Sequence, residues 1–164
     1  MPRTAFVSTY EPHRCGIATF TFDLATAVGE REIVALDPAD ESGPYPAEVR
    51  HRIRRDVRAD YVAVAQALND CGVDVVSIQH EYGIWGGNDG AYVLDFVRAL
   101  RVPAVATLHT VLRKPSLSQR WILTELIAAT AATVVMSQTA ASLLTRAYDV
   151  EPTRIKIVAH GVPH

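Results

Sequence analysis

The hydrophobic pattern of the chain alternates between runs of strand length and helical spacing, most clearly in the middle. Residues 73–78 form a β-branched run, residues 93–100 carry apolar side chains at helical spacing, and residues 104–108 form a second apolar run. A strand, a helix and a strand within about 35 residues make a βαβ unit, whose strands are parallel and whose crossover is right-handed. Both strands are therefore predicted to end at the same edge of a parallel sheet.

The same alternation continues on both sides of this unit. Further strands are predicted at residues 4–8, 32–36, 49–53, 133–136 and 155–158, and further helices at 16–28, 59–68, 116–129 and 137–148. The third of these strands alternates polar and apolar residues as an edge strand does, and residues 37–46 are a loop rich in proline and glycine. Ser116 and Gln119 have the spacing of a capping box, and Ser137 is a predicted helix cap. The pattern predicts an α/β fold: a doubly wound, mostly parallel Rossmann-like sheet of about seven strands with helices on both faces.

Histidines follow three of the predicted strands, at positions 80, 109 and 160. Ligands of open α/β sheets bind at the carboxyl edge, so we expect His80, His109 and His160 at or just beyond that edge. An imidazole there can bond a ligand hydroxyl or stabilise developing charge, or it can simply bond a loop carbonyl. The three together could instead form a zinc site of a metal-dependent hydrolase, although their spacings match no common metal motif.

The usual phosphate-binding and nucleophile motifs are absent from the sequence. The first strand is not followed by G-x-G-x-x-G, and neither a P-loop nor a G-x-S-x-G elbow occurs. Gly16 opens the first predicted helix, whose free N–H groups could receive an anion. A glycine at a strand-to-helix turn is as readily explained by steric need.

Composition mainly excludes certain classes of protein. A hydrophobic content of 49% and a charged content of 21% are typical of globular domains, and a net charge of −2 argues against a nucleic-acid partner. Cys15 and Cys71 form neither a metal spacing nor a disulfide framework, which favours a reducing compartment. No stretch approaches the roughly 20 apolar residues that cross a bilayer. The sequence predicts a soluble, cytoplasmic domain.

One stretch is strongly basic for so neutral a chain. It carries five arginines: Arg50, Arg52, Arg54, Arg55 and Arg58. The simpler interpretation is an exposed edge strand whose charges discourage pairing with another sheet. The alternative is weak contact with anionic lipid, or with a phosphorylated acceptor, at the inner face of the membrane.

Four patches of the chain resemble bacterial glycosyltransferases of the retaining, two-domain GT-B type, family 4 (glycosyl transferases group 1). They are residues 10–24, 79–87, 107–111 and 158–163, and they occur in family order and at family spacing. The resemblance implies that residues 1–164 are a single Rossmann-like N-terminal domain on the acceptor side, and that the C-terminal donor-binding domain is absent from this chain. Residues 160–163 resemble the start of the interdomain linker, with Ala159 where a proline is more usual.

The activity that the resemblance implies is transfer of a hexose from a nucleoside-diphosphate sugar to an acceptor hydroxyl, with retention of configuration. The nucleotide-sugar is a co-substrate, and neither a metal nor another cofactor is expected. The expected partners are a sugar or glycolipid acceptor and a donor domain in cis or in trans, so this chain alone should be incomplete and inactive. A free-standing, non-catalytic glycan- or nucleotide-binding module is the alternative.

The resemblance also assigns residues. His109 matches the family histidine that lies beside the transferred sugar and is the candidate catalytic residue. The candidate substrate-binding residues are Gly16, Arg14, His80, Glu81, Tyr82, Gly83 and Thr110. Gly16 would let the donor diphosphate approach, assisted by Arg14, although a solvated arginine is the simpler interpretation of Arg14. His80 and Glu81 either bind acceptor hydroxyls or brace the glycine loop, and Tyr82 and Trp85 form either a sugar platform or packing.

Overall fold

A parallel sheet of seven strands organises the part of the chain that the computed structural model describes, residues 2–38 and 44–161. The strands lie in the order β3-β2-β1-β4-β5-β6-β7. Their bounds are β1 Thr4–Ser8, β2 Arg31–Asp37, β3 Val49–Arg54, β4 Val75–His80, β5 Ala104–Leu108, β6 Ala132–Val135 and β7 Ile155–Ile157. The chain moves outward from β1 to β3 and then resumes at β4 on the other side of β1, which makes the β1/β4 junction the switch point where such sheets bind ligands.

Helices lie on both faces of the sheet, as the doubly wound prediction requires. They are α1 Gly16–Val28, α2 Arg58–Asp70, α3 Val93–Ala99, α4 Leu117–Ala129 and α5 Gln138–Ala147. The first packs with Phe6 and Ile33 on one face, whereas side chains of α2 to α5 belong to the larger core on the other face. This division follows from right-handed crossovers, because connections that run in opposite directions along the sheet place their helices on opposite faces.

The predicted α/β order is confirmed, and the bounds of β1, β5 and α1 agree with the pattern residue by residue. The clearest difference concerns β4, which begins later than the apolar run at 73–78 and continues through Gln79 and His80. These two residues are still in register with Thr107 and Leu108 of β5, so pairing extends the strand past its apolar run. Two predicted segments fall partly outside the described residues: the loop at 37–46, across 39–43, and the linker start at 160–163, across 162–163.

Side-chain caps define where three helices begin. The capping box of α4 is confirmed, with Ser116 Oγ accepting from the Gln119 N–H at 3.0 Å and the Gln119 side chain accepting from the Ser116 N–H at 2.9 Å. Ser137 caps α5 with a single bond, its Oγ accepting from the Ala140 N–H at 3.1 Å. Cys15 caps α1, its Sγ accepting from the Ala18 N–H at 3.4 Å. The thiol was not predicted to cap a helix.

The loop after β4 depends on glycine for close packing. A Cβ atom at Gly86 would lie 1.8 Å from the Arg55 carbonyl oxygen, and Gly87 has a φ of 79°. The Gly86 N–H donates to the Tyr61 hydroxyl at 2.9 Å, and that hydroxyl donates to the Arg55 carbonyl at 2.8 Å. The loop is therefore held against α2 and cannot admit larger residues at these positions.

One half of the sheet is open on the face that carries α1. Beside this helix lies an apolar cleft of about 300 Å³ whose lining includes Phe6, Phe20, Val75, Val105, Val134 and Met136. Parallel sheets are ordinarily covered on both faces. Within residues 2–38 and 44–161, no helix is long and apolar enough to span a bilayer.

Candidate functional site

The carboxyl ends of β1, β4 and β5 meet next to the N-terminus of α1, at the switch point of the sheet. His109 directly follows β5, and His160 follows β7. Both imidazoles contact the ring of Phe20 on α1, with ring centroids 5.0 Å from it for His109 and 5.4 Å for His160. At this edge of the sheet, two of the three predicted histidines, His109 and His160, lie against the same ring. That ring belongs to Phe20, which was not a predicted site residue.

His109 is held by a buried glutamine. Its Nε2 lies 2.9 Å from Oε1 of Gln79, which is fully buried. An amide oxygen carries no hydrogen, so Nε2–H must be the donor, and in the neutral ring Nδ1 keeps a lone pair. No residue in the described ranges bonds that Nδ1. The amide of Gln79 is itself fixed, because its Nε2 donates to Ser77 Oγ at 3.2 Å.

The surroundings of His109 favour its neutral form. Burial lowers the pKa of the His109 imidazole, the neighbouring carboxylate of Glu81 acts in the opposite direction, and His160 lowers it further. Since the ordinary value is already below 7, the ring is uncharged at neutral pH. A neutral, half-buried imidazole with a free Nδ1 is suited to accept a hydrogen bond from a hydroxyl.

Glu81 and Thr110 meet across the ends of β4 and β5. The Thr110 hydroxyl donates to one carboxylate oxygen of Glu81, and the Tyr82 N–H donates to the other at 2.9 Å. Glu81 thereby caps the short 3-10 turn Tyr82–Ile84 at the start of the glycine loop. Glu81 thus braces the start of the glycine loop, and a carboxylate with two bonds still has acceptor sites for a ligand hydroxyl.

His80 lies on the opposite face from His109. It is fully buried, its ring contacts that of Tyr82 at 5.1 Å, and neither ring nitrogen has a partner in the described ranges. Burial lowers the pKa of His80 to about 4, with a smaller contribution from His109. This burial removes His80 from the surface that a substrate can reach. Across residues 2–38 and 44–161, no three His, Cys, Asp or Glu side chains are grouped to hold a metal ion, so the zinc hypothesis finds no ligand set there.

The predicted anion site lies at the start of α1. A concavity of about 560 Å³ is lined by Glu11–Gly16 and Thr19. Gly16 is the first residue of the helix and is exposed, and a Cβ atom there would meet nothing within 4 Å. Arg14 is also exposed, and no carboxylate in the described ranges pairs with it. Cys15 stands between them, with its Sγ 3.2 Å from the Thr9 hydroxyl.

The remaining predicted residues separate into core and rim. Trp85 is 2% exposed and its Nε1–H donates to the Gln79 carbonyl at 3.1 Å, so it packs in the core and offers no sugar platform. Burial raises the pKa of the Tyr82 hydroxyl, which is bonded to Tyr148. Gly83 is exposed on the rim of a separate depression of about 380 Å³, away from His109. The one signal for Gln79 in the sequence is that an amide side chain directly follows the apolar run that ends at Ile78.

Comparisons with known proteins identify the family of the chain and support its fold. Residues 14–164 match the model of a family described as Glycosyltransferase Family 4. The fold matches a crystal structure of a glycosyltransferase from Rickettsia africae ESF-5 with a TM-score of 0.65 at 14% sequence identity. The match covers 98% of this chain and 44% of that chain, so the 164 residues span less than half of the solved protein. No protein with a curated description matches the chain.

Proposed function

We propose that this chain, which belongs to Glycosyltransferase Family 4, is the acceptor-binding half of a retaining glycosyltransferase that moves a hexose from a nucleoside-diphosphate sugar to an acceptor hydroxyl. The observation that carries the proposal is the pair formed by His109 and Gln79 at the switch point of the sheet, 2.9 Å apart. It presents one imidazole nitrogen to solvent in a defined protonation state, at the edge where α/β folds bind ligands.

His109 is the proposed catalytic residue. Its Nδ1 accepts a hydrogen bond from a sugar hydroxyl, while Gln79 prevents the ring from rotating or exchanging tautomers. Holding the reacting groups in one geometry removes the entropic cost of aligning them during transfer, which can account for about 7–11 kcal/mol of a barrier. The neutral state matters, since a protonated Nδ1 would donate and could no longer accept.

Two neighbouring groups complete the proposed binding surface. On the proposed acceptor side, Glu81 and Thr110 lie at the ends of β4 and β5, where the free acceptor sites of the Glu81 carboxylate suit a polyol. Tyr82 and Gly83 extend this side towards the separate depression that they line. Gly16 begins α1 and Arg14 lies just before its N-cap, and the free N–H groups and positive dipole end of this helix suit the diphosphate of the donor. Phe20 sits one turn further along α1 and links the two groups through its contacts with His109 and His160.

The donor is bound mainly by a part of the enzyme outside these 164 residues, in cis or in trans. The chain spans 44% of the solved glycosyltransferase that it resembles in fold, which supports this division. In the proposed reaction, helix dipoles and basic side chains of the donor-binding part, and no metal or other cofactor, compensate the charge of the leaving group. We place the reaction in the cytoplasm.

The test is an assay of the chain with a panel of nucleoside-diphosphate sugars and candidate acceptors, with and without a donor-binding domain. Nucleotide release is expected only when both parts are present, and acceptor sugars should shift NMR signals of His109 and Thr110 in this chain alone. Turnover by the chain alone would contradict the proposal that the donor is bound by a separate part of the enzyme. Tight nucleotide binding without turnover, even with a donor domain, would favour the non-catalytic module instead.

A further inference from the structure

The ring of Phe20 joins two parts of the chain that are distant in the sequence. Phe20 is half-buried on α1, and its ring centroid lies 5.0 Å from that of His109 and 5.4 Å from that of His160. The ring planes of Phe20 and His109 are nearly perpendicular, at 89°, which is the edge-to-face arrangement that aromatic pairs favour. Phe20 therefore has a defined geometry with His109 and does more than fill space beside it.

The hydrogen bond to Gln79 does not by itself fix the plane of the His109 ring. It holds one ring nitrogen at 2.9 Å from Oε1 of Gln79, but an amide oxygen accepts over a broad range of directions. The torsion that turns an imidazole about its bond to Cβ is broad as well. A tilt of the ring about the hydrogen bond would change where Nδ1 points. The contact with Phe20 opposes this tilt, because the tilt would destroy the perpendicular arrangement of the two rings.

His160 belongs to a segment that leaves β7 and lies along the open half of the sheet. The Val158 N–H donates to the Val135 carbonyl at 3.0 Å, which continues the pairing of β7 with β6. Val158 and Phe20 line the same apolar cleft, and the ring of His160 reaches the ring of Phe20. Residues 158–161 are all exposed. The segment is therefore held at the surface, and Phe20 is where it meets the candidate site.

We propose that Phe20 is a positioning residue, which sets the plane of the His109 imidazole and couples that imidazole to residues 158–161. A change in the position of the segment would reach His109 through the ring of Phe20. Burial is the main cause of the lowered pKa of His109, and His160 adds to it, so the two imidazoles already influence each other. The consequence for sugar transfer rests on the proposed function, whereas the coupling itself can be measured on this chain alone.

Phe22, on the same helix, provides a matched control. It is half-buried like Phe20, but its ring packs with that of Tyr10, at a centroid distance of 6.2 Å, and it adjoins the smaller core around Ile33. Phe22→Leu therefore removes an aromatic ring from α1 without removing either histidine contact of Phe20. Any general loosening of α1 should appear in both variants, and a specific effect on His109 only in Phe20→Leu.

The test is NMR of the imidazole nitrogens at about pH 8, above the ordinary pKa of histidine, where the ratio of the Nε2–H to the Nδ1–H tautomer can be measured. His109→Ala identifies the signals of His109. Phe20→Leu should lower the tautomer ratio of His109 by about two- to tenfold, because the bond to Gln79 weakens when the ring tilts. Phe20→Tyr should keep most of the wild-type ratio, and Phe22→Leu should leave it unchanged.

His160→Ala tests the coupling and removes an exposed side chain that the fold does not need. It should lower the tautomer ratio of His109 by about twofold, because Phe20 loses one of its two histidine contacts. In a chain that already carries Phe20→Leu, the same substitution should have no further effect, since residues that act through one contact are not additive.

An unchanged tautomer ratio in Phe20→Leu, or an equal change in Phe22→Leu, would overturn the positioning role. An equal effect of His160→Ala with and without the Phe20 ring would overturn the coupling, because the two imidazoles would then interact directly. These outcomes are distinguishable from failure of the proposed function, since the measurement needs no sugar transfer. The expected tautomer changes in a protein that transfers no sugar even with a donor-binding domain would contradict the proposed function and support the coupling.

Discussion

His80 and His109 lie at the ends of neighbouring, paired strands, yet their environments are opposite. His80 pairs in register with Leu108, so His109 is one residue further along and points to the other face of the sheet. His109 is half-exposed and bonded to Gln79, whereas His80 is fully buried and its ring has no hydrogen bond in the described ranges. One residue of register thus separates a half-exposed imidazole at the sheet edge from a fully buried one.

The largest expected effect is the loss of turnover when His109 is replaced. In a protein that also carries the donor-binding part, His109→Ala should lower turnover by about 10²–10³-fold, as loss of a preorganised hydrogen bond in a transition state does. The melting temperature should change little, because the ring is partly exposed. Steady-state kinetics and thermal unfolding measure the two effects. His51→Ala, on edge strand β3, is the matched control, and equal losses in both variants would remove the special role of His109.

The second prediction concerns pH and His80. The folded-state pKa of His80 is about 4 against 6.5 in the unfolded chain, so the unfolded state binds more protons below pH 6.5. Stability should therefore fall as the pH drops from 6.5 towards 4, by about 3 kcal/mol from this group at 1.36 kcal/mol per pKa unit.

His80→Phe should remove most of this acid-dependent loss, since phenylalanine fills a similar volume without a titratable nitrogen. Chemical denaturation of both proteins between pH 4 and pH 7 measures the difference. His109→Ala serves as the contrast and should keep most of the pH dependence. Parallel pH profiles for wild type and His80→Phe would show that His80 does not titrate as its burial requires.

The third prediction concerns Gln79, the residue that holds the His109 imidazole in place. Gln79→Leu should reduce turnover by about tenfold, because the imidazole loses its tautomer and orientation. Gln79→Glu should instead raise the pKa of His109, since a carboxylate favours the imidazolium, and move the acid limb of the pH–rate profile upward. A purely structural role for Gln79 would change the melting temperature in both variants without that displacement of the pH profile.

The smallest expected effect is at Thr110. Thr110→Val keeps the shape of the side chain and removes one donor to Glu81, which still accepts from the Tyr82 N–H. Loss of one such hydrogen bond is worth about 1 kcal/mol, so acceptor KM should rise by a few fold with kcat nearly unchanged. Isothermal titration with the acceptor measures the same change as affinity. An effect as large as that of His109→Ala would make Thr110 a direct participant.

Local signals in the sequence were sufficient for the fold and for part of the site. The apolar run ending at Leu108 placed His109 at the edge, and the spacing of Ser116 and Gln119 placed the start of α4, because both features depend on residues adjacent in the chain. Gln79 and Phe20 were missed because their roles depend on contacts with His109, which is 30 residues from Gln79. The burial of His80 was missed for a related reason: β4 extends past its apolar run only because β5 continues to pair with it.

The open half of the sheet beside α1 has a practical consequence for solution work. Fluorescent dyes such as ANS bind exposed apolar surface, and their binding is a customary sign of loosened tertiary packing. The cleft lined by Phe20, Val105 and Val134 offers them such a surface while every strand is still paired. We therefore expect this chain to bind ANS when fully native, so dye-based melting curves should begin from a high signal. Near-UV circular dichroism of its buried aromatic rings is the sounder measure of native packing.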